Sequence, residues 1–591
     1  MFYRVFVRQM CRRKGMNPMN SKEQALYQLW CDNAVDDPDL TAELRSIAGD
    51  EEAIRERFYN DLAFGTGGLR GVLGAGTARM NIYTVRRATQ GLANYVKESF
   101  DAPAVAISYD SRIKSDTFAK AAAAVLAANG IHAYIYEELM PTPMLSYAVR
   151  ALKCAAGIMV TASHNPAKYN GYKAYGADGC QITLDVANIV IDKINSLDIF
   201  KDIKTTDFDQ AVKDGMISFI GSDVIEHYYQ EVLKQGIHTD CCAESGLKIV
   251  YTPLNGTGNK PVREILSRIG IKDVTIVPEQ ENPDGNFTTC PYPNPEIREA
   301  LELGLRLCDQ VKPDLLLATD PDCDRVGIAV PDGKGGYALF TGNEVGAMLF
   351  EYICTERTKL GTMPKNPMAV KTIVTTDLVK PIAAKYGVQV IDVLTGFKFI
   401  GEQIGMLEAK GEEDRYIFGF EESYGYLAGS YVRDKDAVVA SMLIVEMAAF
   451  YRTQGISMMQ ARENLYAKYG VFKQSQESFA FEGVSGMHKM QELMKSLRTD
   501  APTAIGGLEV VSTADYLTGE IVDKKSGAVK PTNLPKSDVV SFFLPDNASV
   551  IVRPSGTEPK IKAYYTTAAK TMEEAAALEA KLKEDMHKIL V

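Results

Sequence analysis

The sequence predicts a multidomain α/β protein that ends in a smaller α+β unit. Three observations carry this. The 591 residues exceed what one hydrophobic core supports. From about residue 104 to 423, short apolar strands alternate with helix-like stretches in successive rounds of one plan: strand, polar loop, helix. That alternation builds α/β layers. Beyond residue 540 the pattern changes to β-branched strands joined by short turns, followed by a charged helix.

Taken in order, residues 21–60 have helical apolar spacing with an acidic outer face. The first round is AVAISYD (104–110), an alanine-rich helix through Ala128, and AYIYEE (133–138). The second is LKIVYTPLNG (247–256), DVTIVPEQ (273–280) and DLLLATDPD (314–322), with helices between them. The third is AVKTIVTTD (369–377), VQVIDVLTG (388–396) and YIFGFEES (416–423). The rounds resemble one another in plan, which suggests repeated domains. The tail holds SDVVSFFLPDNASVIVRPSGTEPKIKAYYTT and a helix from Met572 to the end. Expected divisions are 21–222, 223–345, 346–468 and 469–591. Residues 1–20 are basic without a long apolar run; they read as a leader, or as sequence ahead of a start at Met16 or Met19.

A net charge of -11 disfavours nucleic acid or an anionic membrane as partner, while a local basic pocket could still take a phosphate. The 10 cysteines are scattered, with no C-x-x-C pair, so reduced thiols are expected and a structural zinc site is not. The composition is that of a soluble, multidomain, cytoplasmic protein; a small-molecule substrate, no membrane contact and a monomer or homodimer are expected of it.

Four loops carry candidate chemistry, each at a strand end, where α/β sheets place ligands. Thr161-Ala-Ser-His-Asn-Pro166 presents Ser163 with Pro166 stiffening the exit. Asp320-Pro-Asp-Cys-Asp-Arg325 sets Asp320, Asp322 and Asp324 at alternating positions, able to converge on one hard cation. Arg325 beside them is suited to a phosphate. An EF-hand is excluded, since Arg325 and Pro331 stand where glycine and glutamate are needed. Gly419-Phe-Glu-Glu-Ser-Tyr-Gly425 offers Glu421 and Ser423 to sugar hydroxyls, although a helix-capping turn has the same composition. Arg553-Pro-Ser-Gly-Thr-Glu-Pro-Lys560 combines hydroxyls, a glycine and flanking cations into an anion nest, and it is not a Walker A loop.

In this order the four loops resemble the α-D-phosphohexomutase superfamily, from about Ser21 to the C-terminus. Phe64-Gly-Thr-Gly-Gly-Leu-Arg-Gly71 resembles the family's N-terminal arginine loop, and Asn170-Gly-Tyr-Lys173 its lysine segment. The resemblance implies four domains around a central cleft, the first three alike and the fourth smaller. It implies that Ser163 carries the phosphoryl group, and that Asp320, Asp322, Asp324 and a phosphoserine oxygen bind one Mg²⁺. Lys173 and His164 would handle the hydroxyl proton, with Arg70 near them. Glu421 and Ser423 would hold the sugar ring. Arg553, Ser555, Gly556, Thr557 and Lys560 would hold the distant phosphate. Glucose 1,6-bisphosphate would be intermediate and activator.

Dual phosphomannomutase/phosphoglucomutases carry a histidine shortly after the sugar-loop serine; here that place is Gly425. Asp434-Lys-Asp436 instead resembles the glucose-type enzymes, making Lys435 a candidate for acid/base work. With Thr395, Gly396 and Lys398 in Thr395-Gly-Phe-Lys398, the chain looks most like the phosphoglucomutase/phosphopentomutase branch, with glucose 1-phosphate first and mannose or pentose phosphates open. A metal phosphohydrolase using Asp320 as nucleophile leaves the Ser163 and Arg553 loops without purpose. A non-catalytic homologue would be expected to have lost the serine or an aspartate.

Overall fold

The computed structural model describes residues 21–591 apart from 66, 482 and 556–559. The reading of residues 1–20 therefore lies outside the described residues. Three helices, Ser21–Asn33, Pro38–Ser46 and Glu51–Phe58, stand where one helical stretch was expected. Asp37 and Asp50 divide it, each accepting a backbone N–H (of Asp39 and Ala53) and starting a new helix.

The first sheet contains β1 (Gly68–Val72), β2 (Ala104–Tyr109), β3 (His132–Ile135), β4 (Ala156–Val160), β5 (Tyr169–Gly176) and β6 (Ile217–Phe219), ordered β1-β5-β4-β2-β3-β6. The second contains β7 (Lys248–Thr252), β8 (Asp273–Ile276), β9 (Leu315–Thr319), β10 (Val326–Pro331) and β11 (Tyr337–Phe340), ordered β11-β10-β9-β7-β8. The third contains β12 (Met368–Thr372), β13 (Gln389–Val393), β14 (Tyr416–Glu421) and β15 (Gly425–Leu427), ordered β13-β12-β14-β15. Strands β4 and β9 are buried along their whole length, which is why they read as unbroken apolar runs.

All three sheets share one device. A set of parallel strands is extended by an antiparallel neighbour: β5 on β4, β10 on β9, β15 on β14. The turn into that neighbour is 161–168, 320–325 or 422–424, so three of the suspected loops occupy equivalent places. Each turn holds one non-glycine residue in the left-handed region: Ser163 (φ 51°), Cys323 (φ 51°) and Tyr424 (φ 63°). Such a conformation costs roughly 1–2 kcal/mol in an L-residue and persists only where its surroundings enforce it. The repetition that the sequence only hinted at is thus clear in the backbone.

The C-terminal unit is an antiparallel seven-stranded sheet built on Val471–Ala480, Lys560–Ala569, Ser549–Pro554 and Val540–Phe543, with the helices Gly483–Thr499 and Met572–Leu590. It meets the third unit through an apolar cluster in which Val374 and Leu394 join Tyr516, Val539, Ile551 and Tyr564. We propose unit breaks near 222/223 and 468/469. The helix Gly342–Leu360 starts on a Thr341 capping box and runs unbroken across 345/346, so we move that break back to Thr341. The described cysteines are free thiols. Among the described residues no helix is long and apolar enough to cross a membrane.

Candidate active site

The turn after β4 is held from inside by a residue that the motif reading missed. Arg112, fully buried, donates to the backbone carbonyls of Pro166 (3.1 Å) and Tyr169 (3.0 Å), and to those of Ser163 and Asn165. Its Nε faces Asp110 at 3.2 Å, and Asp110 also accepts from Thr161 (2.6 Å) and Ser115 (2.8 Å). One guanidinium therefore gathers four carbonyls of the loop and, with the Thr161 hydroxyl accepting the Ser163 N–H at 2.8 Å, enforces the left-handed Ser163. Asp110-Ser-Arg112 lies at the carboxyl end of β2, so the strand-end rule that found the other loops could have found this one.

Arg112→Met is expected to lower kcat/KM about 10²-fold by loosening the serine, the scale for an ångström-sized misplacement. Arg112→Lys should not restore it, because an ammonium cannot span those carbonyls. Steady-state kinetics, with limited proteolysis of 161–168, check this.

Ser163 Oγ donates to Asp320 Oδ2 at 3.0 Å and lies 3.2 Å from His164 Nδ1. Asp320, Asp322 and Asp324 are buried, with ligand atoms within 4.8 Å of one another. Asp320 Oδ1 accepts the N–H groups of Asp324 (3.1 Å) and Arg325 (3.0 Å), while Asp322 Oδ2 accepts from Thr142 (3.0 Å) and Lys173 (2.8 Å). Asp322 Oδ1 and Asp324 Oδ1 are buried with no hydrogen-bond partner among the described residues. Burial, reinforced by Asp322 and Asp324, holds the Asp320 carboxyl well above the usual range. Burial also acts to raise Asp322, but Lys173 outweighs it and holds that carboxyl low. Clustered oxygen donors, two of them unsatisfied, fit a hard divalent cation such as Mg²⁺.

Around this trio stand further cations. Lys173 also reaches Asp324 at 3.5 Å, and Lys435 lies 3.2 Å from Asp324, 2.9 Å from Asp434 and over the Phe397 ring. Burial disfavours both charges, but the aspartates prevail and hold both lysines above their ordinary values. Asp434 is fixed by the Tyr175 hydroxyl (2.7 Å), and Asp436 caps the helix Ala437–Thr453, so Asp434-Lys-Asp436 anchors Lys435 on both sides. Arg325 donates to His164 Nδ1, which makes that nitrogen an acceptor. Burial, then Arg325 and Arg70, keep the imidazole well below its ordinary value and hence neutral.

These groups open onto a cavity of about 610 Å³ to which all four units contribute. Among its walls are Arg70, Ser163, His164, Lys173, Asp324, Arg325, Thr395, Gly396, Glu421, Ser423, Lys435 and Arg553, all expected from the sequence. Arg70 also meets Asn165 at 3.5 Å, and Glu421 accepts the Gly396 N–H at 3.0 Å. Lys398 is not in this wall; its carbonyl meets Cys180 and its ammonium lies over Phe399. Ser555 and Lys560 flank 556–559, the backbone of Ser555 donating to Lys560 at 2.7 Å, whereas Gly556 and Thr557 lie outside the described residues.

The structure adds Glu296, Glu422, Lys562 and Tyr564 to the wall. Lys562 pairs in register with Arg553 across adjacent antiparallel strands, and Tyr564 meets the Arg553 guanidinium at 2.8 Å. Two-residue periodicity from Lys560 pointed to Lys562. Nothing local marked Glu296, which arrives from the second unit.

A buried acidic trio, a strained serine against it and a cation-rich cleft shared by four units define the architecture of a phosphosugar mutase. Comparison with known proteins gives the family. Three family models match in succession: phosphoglucomutase/phosphomannomutase alpha/beta/alpha domain I over 61–199, domain II over 226–334 and domain III over 341–469. The phosphoglucomutase of Staphylococcus saprophyticus is 37% identical over 524 residues, covering 89% of this chain and 94% of that protein. A Staphylococcus aureus phosphoglucomutase is 34% identical over 551 residues, covering 93% and 97%. The open form of parafusin, a phosphoglucomutase of Paramecium, shares the fold with a TM-score of 0.68 at 18% identity, covering 90% of this chain and 95% of that one. The chain belongs to the phosphoglucomutase/phosphomannomutase family of the α-D-phosphohexomutase superfamily.

Proposed function

We propose that this protein interconverts glucose 1-phosphate and glucose 6-phosphate through a phosphorylated Ser163 and glucose 1,6-bisphosphate. The observation that carries the reading is Ser163 Oγ at 3.0 Å from a buried cluster of aspartates, at the floor of a cavity that also reaches Arg553. The phosphoryl group passes from Ser163 Oγ to the free hydroxyl of the bound monophosphate. The bisphosphate turns around, and its other phosphoryl group returns to Ser163 Oγ. Arg553, with Ser555, Gly556, Thr557, Lys560 and Lys562, holds whichever phosphate is remote, so binding energy there positions the reacting end.

Mg²⁺ would be held by Asp320, Asp322, Asp324 and a phosphoserine oxygen. When bound, it would neutralise charge on the transferring group. Lys173, held cationic, donates to the departing oxygen and offsets negative charge, and the sugar hydroxyl proton passes to His164 Nδ1 once Arg325, which donates to that nitrogen here, turns to the phosphoryl oxygens. Lys435 and Arg325 stabilise the phosphoryl oxygens as fixed charges. Lys398, outside the cavity wall, is assigned no contact with the substrate. Gly425 in place of a histidine and Lys435 against Asp324 support the glucose-type branch over the mannose enzymes, and the phosphoglucomutases among the relatives support glucose within that branch. Free thiols and the acidic composition support a cytoplasmic setting. All the assigned residues come from one chain, so the chemistry needs no second subunit, whether the protein is a monomer or a homodimer.

A coupled assay with Mg²⁺ and trace glucose 1,6-bisphosphate tests the reading. Turnover of glucose 1-phosphate should exceed that of mannose 1-phosphate and ribose 1-phosphate, without release of inorganic phosphate. Phosphate release, or a pentose preference, would overturn it.

A pH prediction follows from Glu421. Burial pushes its carboxyl up to about 7, with Lys435 opposing. Below that pH the protonated group accepts fewer sugar hydroxyl bonds; above it the carboxylate accepts fully. The ratio of kcat/KM between wild type and Glu421→Gln should rise across about pH 6 to 8 and then level, whereas a ratio independent of pH would refute the assignment.

A further inference from the structure

A loop of the second unit, residues 282–290, reaches the first unit behind the serine. Within it Phe287 is fully buried and has a left-handed backbone (φ 47°). A bulky side chain seldom adopts that conformation, and it persists only where the surroundings over-determine it. The turn supplies such surroundings. The Asp284 carboxylate accepts the N–H groups of Asn286 and Thr288, both at 2.9 Å, and its carbonyl accepts that of Phe287 at 3.0 Å. Gly285 passes so close to the backbone of 111–113 that a Cβ would lie 2.7 Å from the Ile113 nitrogen and 2.9 Å from the Ser111 oxygen. Glycine permits that approach because it has no Cβ.

The approach brings the Phe287 ring over Arg112, whose guanidinium carbon stands 4.9 Å from the ring centroid. Arg112 is the residue that gathers the carbonyls of the serine loop. Its donors lie in the guanidinium plane and are directed at those carbonyls and at Asp110, so its face has no hydrogen bond to give. The negative face of an aromatic ring complements that surface, most strongly where water is excluded. The loop is also tied to the unit that carries the acidic trio. Asn255 donates to the Asn282 carbonyl at 2.7 Å, and the nearby Thr257 N–H donates to Pro321, inside the acidic loop, at 2.9 Å. At the other end Cys290 packs with Leu254 and Ala300.

We propose that Phe287 is a positioning residue for phosphoryl transfer, a role that rests on Ser163 being the phosphoryl carrier. Its ring holds Arg112, and through Arg112 the serine loop, in register with the aspartates of the second unit.

Graded fluorination of the ring tests this, because fluorine drains the negative face while nearly keeping the shape. Mono-, di- and trifluorophenylalanine are placed at position 287 of the full chain, beside Phe287→Leu. With Mg²⁺ and trace glucose 1,6-bisphosphate, kcat should fall step by step to about 10-fold below wild type, with KM for glucose 1-phosphate within about twofold. In an Arg112→Met background the same series should be flat, since the partner of the ring is gone. Backbone amides of 161–168 should exchange with deuterium about 10-fold faster in Phe287→Leu than in wild type. If the leucine variant fails to fold, the trifluoro chain takes its place in that measurement. A kcat indifferent to fluorination, or 161–168 amides as slow in the folded variants as in wild type, would overturn the proposal. The exchange measurement needs no turnover. Should wild type neither interconvert the glucose phosphates nor take label on Ser163, the mutase reading falls, and exchange still decides whether Phe287 holds the loop.

Discussion

Ser163→Ala is expected to reduce mutase turnover by at least about 10³-fold, on the scale seen when a nucleophile is removed. The argument is geometric. Ser163 Oγ is the hydroxyl that donates to Asp320, at 3.0 Å, and the loop around it is bound by Arg112 in a left-handed conformation that few residues adopt unaided. Alanine removes the acceptor of the phosphoryl group and leaves the carbonyl contacts of Arg112 in place. The fold should therefore persist and substrate should still bind. Incubation with labelled glucose 1,6-bisphosphate should leave label on wild type and none on the variant. A phosphohydrolase acting through Asp320 predicts the reverse, activity that survives the alanine.

Asp320→Asn is expected to cost about 10³-fold in turnover, the scale of several kcal/mol of charge stabilisation at a metal site. Its effect on stability should have the opposite tendency. In the metal-free protein, burial and the neighbouring aspartates raise the Asp320 carboxyl well above the usual range. The native state thus holds a proton that the unfolded chain gives up. The contribution of this group is fully present below the ordinary carboxylate pKa and is lost as pH rises through the raised one. Asparagine has no such loss and keeps an oxygen for the Asp324 and Arg325 N–H groups. The metal-free melting temperature at neutral pH should stay level or rise, while the stabilisation by added Mg²⁺ expected of wild type should disappear. Differential scanning calorimetry with and without Mg²⁺ checks both. A variant stabilised by Mg²⁺ as strongly as wild type would remove Asp320 from the metal site.

Much of this was legible in the sequence, for a physical reason. The buried strands β4 and β9 announce themselves as apolar runs because they are covered on both faces, and polar loops following such runs fall at strand ends. Ser163, the aspartates at 320, 322 and 324, Glu421 and Arg553 were found that way, since each sits in a compact motif whose chemistry is local. The helical spacing read over 21–60 is divided into three helices because Asp37 and Asp50 cap new starts, a signal present in the sequence.

What the sequence alone determined was the list of loops and the types of group they bring. Tertiary structure decided which of those groups meet. That Thr142 braces Asp322, that Lys562 faces Arg553 across a strand pair, and that Glu296 enters the cleft are contacts over long chain separations, with no mark in local spacing. The same holds for Arg112, whose task appears only when β2 lies beside β4 and four carbonyls of a distant loop come within reach of one guanidinium. Motifs specify the chemistry of single loops; the packing of the sheets specifies distances between loops, and a charge acts through distance.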